Sequence, residues 1–193
     1  SSDDLLKIRN YSYIWSEYRT LYVLGITLIT KIGKNTMATL DQIDIKILQA
    51  LQNNAKVNMK ELSAELNISK TPVYERVKRL EEEGYIRNYV ALVDNKKVGL
   101  PLVVFCNVSL AVHNDEHIQR FKAEIQEIDE VMECYSIGGI YDFFLKVVVK
   151  DLAAYDQFVF NKLTKVNGIV KMQSSLLLNE NKHTTALKVV PGE

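Results

Sequence analysis

Residues 62–86 read Leu62-Ser-Ala-Glu-Leu-Asn-Ile-Ser-Lys-Thr-Pro-Val-Tyr-Glu-Arg-Val-Lys-Arg-Leu-Glu-Glu-Glu-Gly-Tyr-Ile86, and this stretch decides the fold of the first half of the chain. It predicts two short helices joined by a tight turn. The second helix is capped by Ser69, carries Pro72 in its first turn and ends at Gly84, because these residue types favour those positions. Two short helices in such close succession are typical of a helix-turn-helix.

The second helix has two chemically different faces. Val73, Val77 and Leu80 follow the i, i+4, i+7 spacing of a buried helical stripe. The opposite face is therefore polar and basic, and a tight two-helix scaffold can present such a face to a DNA major groove. The residues predicted to contact DNA are Ser69, Lys70, Thr71, Tyr74, Arg76, Lys78 and Arg79.

Position along this helix separates the expected roles. Thr71 and Tyr74 lie near its N-terminus, where side chains reach base edges or a thymine methyl group. Lys78 lies further along and is better placed for a phosphate.

Two arginines flank the predicted DNA-facing surface, and the sequence leaves two roles open for them. Arg76 and Arg79 either hold phosphates or pair with Glu75 and Glu83. We expect Glu75 to pair with Arg79 at i+4 rather than to read a base.

The chain has no net charge that would attract DNA, but part of the second helix is basic. Among 193 residues, 24 Lys and Arg balance 24 Asp and Glu, so bulk charge gives no argument for nucleic-acid binding. Within residues 69–80 of the second helix, however, four basic side chains outnumber one acidic side chain, and phosphate attraction depends on such a patch. The acidic run at residues 81–83 is expected to be a solvated face that points away from DNA. With 47% hydrophobic residues the chain can form one large core or two small ones.

Cysteine and histidine usage indicates neither a disulfide framework nor a metal site. Cys106 and Cys134 are far apart, have no neighbours at metal-ligand spacing, and are each expected to be a small buried hydrophobe. The three histidines form no cluster. We therefore predict a reducing, cytoplasmic compartment and no metal or other cofactor.

The first 36 residues differ from the rest. Residues 11–32 are aromatic and apolar, but their uncharged core, residues 20–30, is too short to span a bilayer. Asp3 and Asp4 stand where a signal peptide would be positive. Residues 1–36 are either an extension outside the functional protein or an extra helix that packs on a partner, and no membrane association is predicted.

Residues 37–99 are expected to form a winged helix-turn-helix domain. Asp41 caps a first helix, Asn58 precedes a second that ends at Asn67, and the helix capped by Ser69 is the third. Residues 85–93 are rich in β-branched and aromatic side chains and predict a strand. Residues 96–99 form the expected linker.

Residues 100–193 predict a second domain with the order β-α-β-β-α-β, the ferredoxin-like split β-α-β. The predicted strands are residues 102–111, 131–137, 142–149 and 169–178, with a possible fifth at 184–190; the helices are residues 115–128 and one capped by Asp151. The fold class is thus α+β. Helices on one sheet face leave apolar positions on the other, which predicts a second copy related by a two-fold axis.

Five blocks in register resemble the Lrp/AsnC, or feast–famine, family of prokaryotic transcription regulators. The likeness covers residues 40–189 and rests on LDQID (40–44), LSAELNIS (62–69), RVKRLEEEGYI (76–86), GIYD (139–142) and KHTTAL (182–187). The resemblance implies a winged-helix DNA reader, a ligand-sensing dimerisation domain, and dimers that assemble further, often to octamers.

The resemblance also implies where a small amino-acid effector binds, near the Gly-x-x-Asp turn and the last sheet strand. The residues that match these positions are Gly138, Gly139, Tyr141, Asp142, Gln173 and Ser174. Glycines let backbone N–H groups approach a carboxylate, and Asp142 can accept hydrogen bonds from an α-ammonium group. The alternative is a plain hairpin turn capped by Asp142. Ser174 stands where the family often has Thr, so the ligand's identity does not transfer.

The leading hypothesis is a DNA-binding regulator whose dimers read pseudo-palindromic sites and whose DNA affinity or assembly state responds to an amino acid. The alternative is an effector-independent architectural protein of the same fold. An enzyme is disfavoured because Asp142 has no second carboxylate, His or Cys beside it at motif level, so no catalytic residues are predicted.

Overall fold

The structure is a computed structural model that describes residues 40–191. Its first unit is a bundle of three short helices. They are α1 (Gln42–Asn53), α2 (Met59–Leu66) and α3 (Lys70–Glu82). The interpretation of residues 1–36 lies outside the described residues.

Capping residues set the starts of α1 and α2 as the sequence predicted. The Asp41 carboxylate accepts the backbone N–H groups of Ile43 and Asp44, and the Asn58 side chain does the same at α2. Ser69 occupies the N-cap position of α3, but its side chain makes no capping hydrogen bond. Ser69 therefore stands at the predicted N-cap position, but the capping hydrogen bond expected from its hydroxyl is not formed.

One apolar core holds the three helices together. Leu62, Val73 and Leu80 are fully buried, and Val77 is nearly so, which confirms the predicted buried stripe of α3. The remaining core residues are Ile47, Leu48 and Leu51. The opposite face of α3 is thereby left to solvent.

Asn67 makes the tight turn between α2 and α3. Its backbone is left-handed, with φ 54° and ψ 41°, and its N–H lies 3.2 Å from the Ala64 carbonyl oxygen. Asparagine tolerates this conformation better than other side chains except glycine.

Replacing Asn67 with Val is expected to lower the free energy of unfolding by about 1–2 kcal/mol, because a β-branched side chain is strained in left-handed backbone. Asn67→Gly should change stability little. Urea denaturation followed by circular dichroism measures both, and equal losses in the two variants would show that the backbone conformation is not the cause.

The second unit is a four-stranded antiparallel sheet with two helices on one face. Its elements are β1 (Leu102–Leu110), α4 (Asp115–Gln126), β2 (Val131–Ser136), β3 (Phe143–Val149), α5 (Leu152–Asn161), a 3-10 turn (Leu163–Lys165) and β4 (Ile169–Leu176). The strand order β2-β3-β1-β4 confirms the ferredoxin-like prediction. Its core lies between the sheet and the helices and includes Val104, Phe121 and Phe158.

Two predicted strands are not formed. Residues 85–93 and 184–190 carry no strand assignment, although a turn does follow at residues 95–99. A strand needs a ladder of hydrogen bonds to a neighbour, and β-propensity alone does not supply one. Cys106 is buried as predicted, whereas Cys134 is exposed, contrary to the prediction.

In the described chain the helical unit runs to Arg87 and the second unit begins at Asn88, within the stretch that the sequence assigned to the linker strand, and the boundary at residue 99 stays a prediction. Residues 88–185 form the second unit, and residues 186–191 belong with the helical unit rather than with the domain to which the sequence assigned them. The physical reason is that Val189 packs against the helical core.

Candidate nucleic-acid interface and effector site

The solvent-facing side of α3 is the candidate nucleic-acid interface. Lys70, Thr71, Tyr74 and Lys78 are all exposed, and 59% of Tyr74 is open to solvent although it is a large aromatic residue. Ser69 is also exposed, immediately before the helix. An exposed aromatic ring amid basic and hydroxyl side chains can contact both bases and phosphates.

Lys78 is available to a phosphate despite one ion pair. Its Nζ lies 3.5 Å from Glu82 Oε1, four residues along the helix, and both side chains are well over half exposed. A pair of this kind contributes only about 0.3–0.5 kcal/mol, so a phosphate can replace it.

Arg76 and Arg79 point instead towards the start of α1. Arg76 donates from the same guanidinium nitrogen to Asp41 Oδ2 at 2.6 Å and to Asp44 Oδ1 at 2.8 Å. Arg79 donates to Asp44 Oδ2 at 2.6 Å. The expected partner of Glu75 was Arg79, and this prediction is wrong because Arg79 pairs with Asp44.

Asp44 is the centre of this ion-pair cluster, which consists of Asp41, Asp44, Arg76 and Arg79. Its side chain is only 1% exposed, and both carboxylate oxygens accept hydrogen bonds from guanidinium groups. Its Oδ2 also accepts the backbone N–H of Asp41 at 3.1 Å, which closes a capping box. A buried charge is tolerated when it is compensated in this way.

The pKa values of the cluster follow from these contacts. The pKa of Asp41 lies below its ordinary value, chiefly because its carboxylate accepts the backbone N–H of Asp44, with Arg76 adding to the effect. The pKa of Arg76 is raised by its hydrogen bonds to Asp44 and Asp41. Asp41 and Arg76 therefore both remain charged near neutral pH.

The cluster was missed at the sequence level, although a signal was present. Asp41 and Asp44 are three residues apart, as are Arg76 and Arg79, so each pair lies on one helix face. Opposite charges at this spacing on two helices of one domain indicate an interhelical ion-pair cluster.

Asp142 closes the turn between β2 and β3 and holds it to the end of β1. Its Oδ2 accepts the Leu110 backbone N–H at 2.8 Å, and its Oδ1 lies 2.9 Å from Nε2 of His113. The side chain remains 27% exposed. His113 was not among the residues predicted from sequence, because it lies far from the turn along the chain.

Gly138 and Gly139 precede this aspartate in the turn. Gly139 has φ +143°, a conformation that L side chains rarely adopt, and a Cβ there would meet no atom within 4 Å. Glycine is required for backbone conformation rather than for space, and the open surface lets a ligand reach the backbone.

Tyr141 and Gln173 meet on the sheet face opposite the helices. The Tyr141 hydroxyl donates to Gln173 Oε1 at 2.7 Å, and Lys171 Nζ lies 4.9 Å from the centre of the Tyr141 ring. A hydroxyl, an amide and a cation thus lie side by side near the turn, which is a suitable set of groups for an amino-acid carboxylate.

Ser174 points to the other side of the sheet. It pairs across the ladder with Cys106, which is buried on the sheet face that contacts Tyr155, whereas Gln173 pairs with Asn107. Its hydroxyl lies 2.6 Å from that of Tyr155, which in turn lies 2.9 Å from Cys106 Sγ. Burial raises the pKa of both Tyr155 and Cys106. The side chains of Ser174 and Gln173 therefore lie on opposite faces of the sheet, and within one chain they cannot face the same ligand.

In residues 40–191, no group of three His, Cys, Asp or Glu side chains is arranged to hold a metal ion. Over the same range no helix has the length and apolar character needed to cross a membrane.

Family models match both units. Residues 40–87 match a winged helix-turn-helix DNA-binding domain, and residues 103–187 match the Lrp/AsnC ligand binding domain. The chain is 40% identical over 142 residues to the Bkd operon transcriptional regulator of Pseudomonas aeruginosa, covering 74% of this chain and 93% of that protein. It is 36% identical to the leucine-responsive regulatory protein of Haemophilus influenzae, covering 82% and 96%.

Solved structures give the same result. A transcriptional regulator from Neisseria meningitidis in complex with L-Met superposes with a TM-score of 0.74 at 38% identity, covering 77% of this chain and 96% of that one. AsnC of Escherichia coli superposes with a TM-score of 0.72 at 25% identity, covering 78% and 99%. These proteins are transcriptional regulators and not enzymes, as predicted. The chain belongs to the Lrp/AsnC family of DNA-binding transcriptional regulators.

Proposed function

We propose that this protein binds specific double-stranded DNA through α3 and that a small amino acid changes its DNA affinity or its assembly. The observation that carries the proposal is the two-sided anchoring of α3. Its apolar stripe is buried and its arginines are tied to Asp44, so Lys70, Thr71 and Tyr74 are held outward on a fixed helix. Preorganisation of this kind lowers the cost of binding.

The effector is an amino acid bound at the turn between β2 and β3. Asp142 would accept the α-ammonium group, while Tyr141, Gln173 and the glycine backbone would face the carboxylate. Two features support this: Asp142 retains exposed carboxylate surface, and the turn is open. Ser174 lies on the other sheet face, so it reaches such a ligand only if a neighbouring copy supplies it.

We infer that the protein forms a homodimer through the sheet face opposite the helices. Phe105 and Phe144 stack there with ring centroids 5.3 Å apart, and Tyr135 is 51% exposed. A two-fold partner would cover this aromatic surface and present two α3 helices to a pseudo-palindromic site. Assembly of dimers into octamers would add neighbours around the effector site, and the cytoplasm is the compartment in which such a regulator meets DNA.

The experiment is a gel-shift titration of the protein on its own upstream region at fixed salt, with and without each of the twenty amino acids. A specific shift that one amino acid alters supports the whole proposal. A specific shift that no amino acid alters favours the architectural alternative. The absence of specific binding on this and other promoter regions would contradict DNA recognition through α3.

Asp142→Asn is expected to abolish the amino-acid response while DNA binding persists, because the neutral amide loses the charge that attracts an ammonium group and keeps one oxygen for Leu110 N–H. Calorimetric titration with the responding amino acid measures the loss. Asp129→Asn, the same change at an exposed aspartate of this unit, is the matched control. An unchanged affinity of Asp142→Asn for the amino acid would show that the effector binds at another site.

A further inference from the structure

Residues 186–190, which we term the C-terminal strap, lie against the helical unit although they follow the last strand of the other unit. The Leu187 backbone N–H donates to Gln52 Oε1 at 2.6 Å, and the Gln52 side-chain amide donates to the Leu187 carbonyl oxygen at 3.2 Å. Val189 packs against the core formed by the three helices. The side-chain amide of Gln52, near the end of α1, thus satisfies both backbone hydrogen-bonding groups of Leu187.

The strap contacts the helices partly through surface groups. At Leu187 the backbone makes the hydrogen bonds while 76% of the residue is exposed, and Val190 is 62% exposed. Val189 is the strap's apolar anchor, and the two hydrogen bonds of Gln52 lie at the surface. Hydrogen bonds at the surface open at a lower free-energy cost than the helical core unfolds, so release of the strap is a local event.

The strap is also the continuation of the strand that carries part of the candidate effector site. β4 ends at Leu176, shortly after Gln173 and Ser174, and the chain then runs through residues 177–185 to the strap. The helical unit is therefore connected to the effector unit twice, once through Arg87–Asn88 and once through the strap. The second connection starts from the strand that would sense a ligand.

We propose that the C-terminal strap is the coupling element that carries the state of β4 to the DNA-binding unit. The inference rests on the proposed function. A ligand can change DNA affinity only if it binds two states of the protein with different affinity. The docked and released strap supply two such states: when docked, the strap restricts the orientations of α3, and when released, it frees them.

The test uses two adjacent valines in the full chain. Val189→Asn removes the apolar anchor, and Val190→Asn makes the identical change at an exposed position. Hydrogen exchange of α1 and α2 amides reports docking, gel shifts with and without the amino acid that most alters wild-type DNA binding report coupling, and calorimetry reports effector affinity. Gln52→Ala provides a second way to release the strap.

We expect the wild type and Val190→Asn to change DNA affinity on effector binding by about 5- to 150-fold, the usual range of such couplings. In Val189→Asn and Gln52→Ala the change should fall below about twofold. Protection at the end of α1 should fall with it, while effector affinity stays the same.

Three results would overturn the inference, and they are distinguishable from one another. If the wild type responds to no amino acid, the proposed function has failed and there is no coupling to carry. If the wild type and Val189→Asn respond equally, only the strap has failed. If Val189→Asn changes the assembly mass while α1 protection is unchanged, the strap is an interface between copies and not a coupling element.

Discussion

Asp44→Asn is expected to lower the free energy of unfolding of the helical unit by about 3 kcal/mol, because removing one charge of a buried ion pair leaves its partners' charges uncompensated. Asp44 is 1% exposed and both its oxygens are bound by guanidinium groups. An asparagine would place an NH₂ group against one of them. Urea denaturation followed by circular dichroism, fitted for the helical unit, measures the effect.

Asp41→Asn is the matched control. It makes the same change three residues earlier, at a side chain that is 48% exposed and, among residues 40–191, forms an ion pair with Arg76 only. Asparagine caps a helix as well as aspartate does, and an exposed ion pair contributes little. We expect a loss below about 1 kcal/mol. Similar losses in both variants would contradict the assignment of Asp44 as the centre of the cluster.

The helical unit could be predicted closely because its signals are local. Asp41, Asn58 and Asn67 each act on backbone within a few residues of themselves, and the i, i+4, i+7 spacing in α3 fixes its buried side. Such features require no knowledge of the rest of the fold. In the second unit, periodicity gave the succession of elements, and that succession matches the split β-α-β motif, whose strand order the structure has.

The strands predicted at residues 85–93 and 184–190 failed for the converse reason. A strand is defined by a partner, and local propensity does not reveal whether one exists. Val189 illustrates this: its apolar character was read as a strand residue, whereas it packs on a helical core that lies more than a hundred residues away in sequence.

For the candidate sites the sequence named residues, which stay predictions, but it did not give the geometry that the structure shows. The sequence placed Gln173 and Ser174 together because they are adjacent, yet successive strand residues point to opposite faces. In the same way, Arg76 and Arg79 were grouped with the exposed residues of α3, and only the structure reveals the buried carboxylate that holds them.

Arg76 and Arg79 are therefore expected to affect DNA binding indirectly, by fixing the position of α3. A residue that contacts a phosphate contributes about one unit to the slope of log affinity against log salt concentration. A residue that only positions the helix lowers affinity without changing that slope. Arg76→Ala should accordingly weaken binding at constant slope, and a slope change near one unit would show a direct phosphate contact.

Substitutions on the exposed face of α3 should produce the largest losses in DNA binding. Thr71→Ala and Tyr74→Ala are each expected to cost about 1–3 kcal/mol at the specific site and little on unrelated DNA, since base contacts carry sequence information. Lys78→Ala should weaken binding to all sequences and make the salt slope less negative by about one unit. Fluorescence anisotropy across a salt series, on specific and scrambled duplexes, separates the two classes.

Lys46→Ala controls for the loss of one positive charge, because Lys46 is exposed on α1 rather than on the face of α3. It should leave both affinity and slope nearly unchanged. If Lys46→Ala and Lys78→Ala had equal effects, binding would depend on net charge rather than on a presented helix face. Because acidic and basic residues balance over the chain, net charge offers little attraction, and an ordered face on α3 has to supply it.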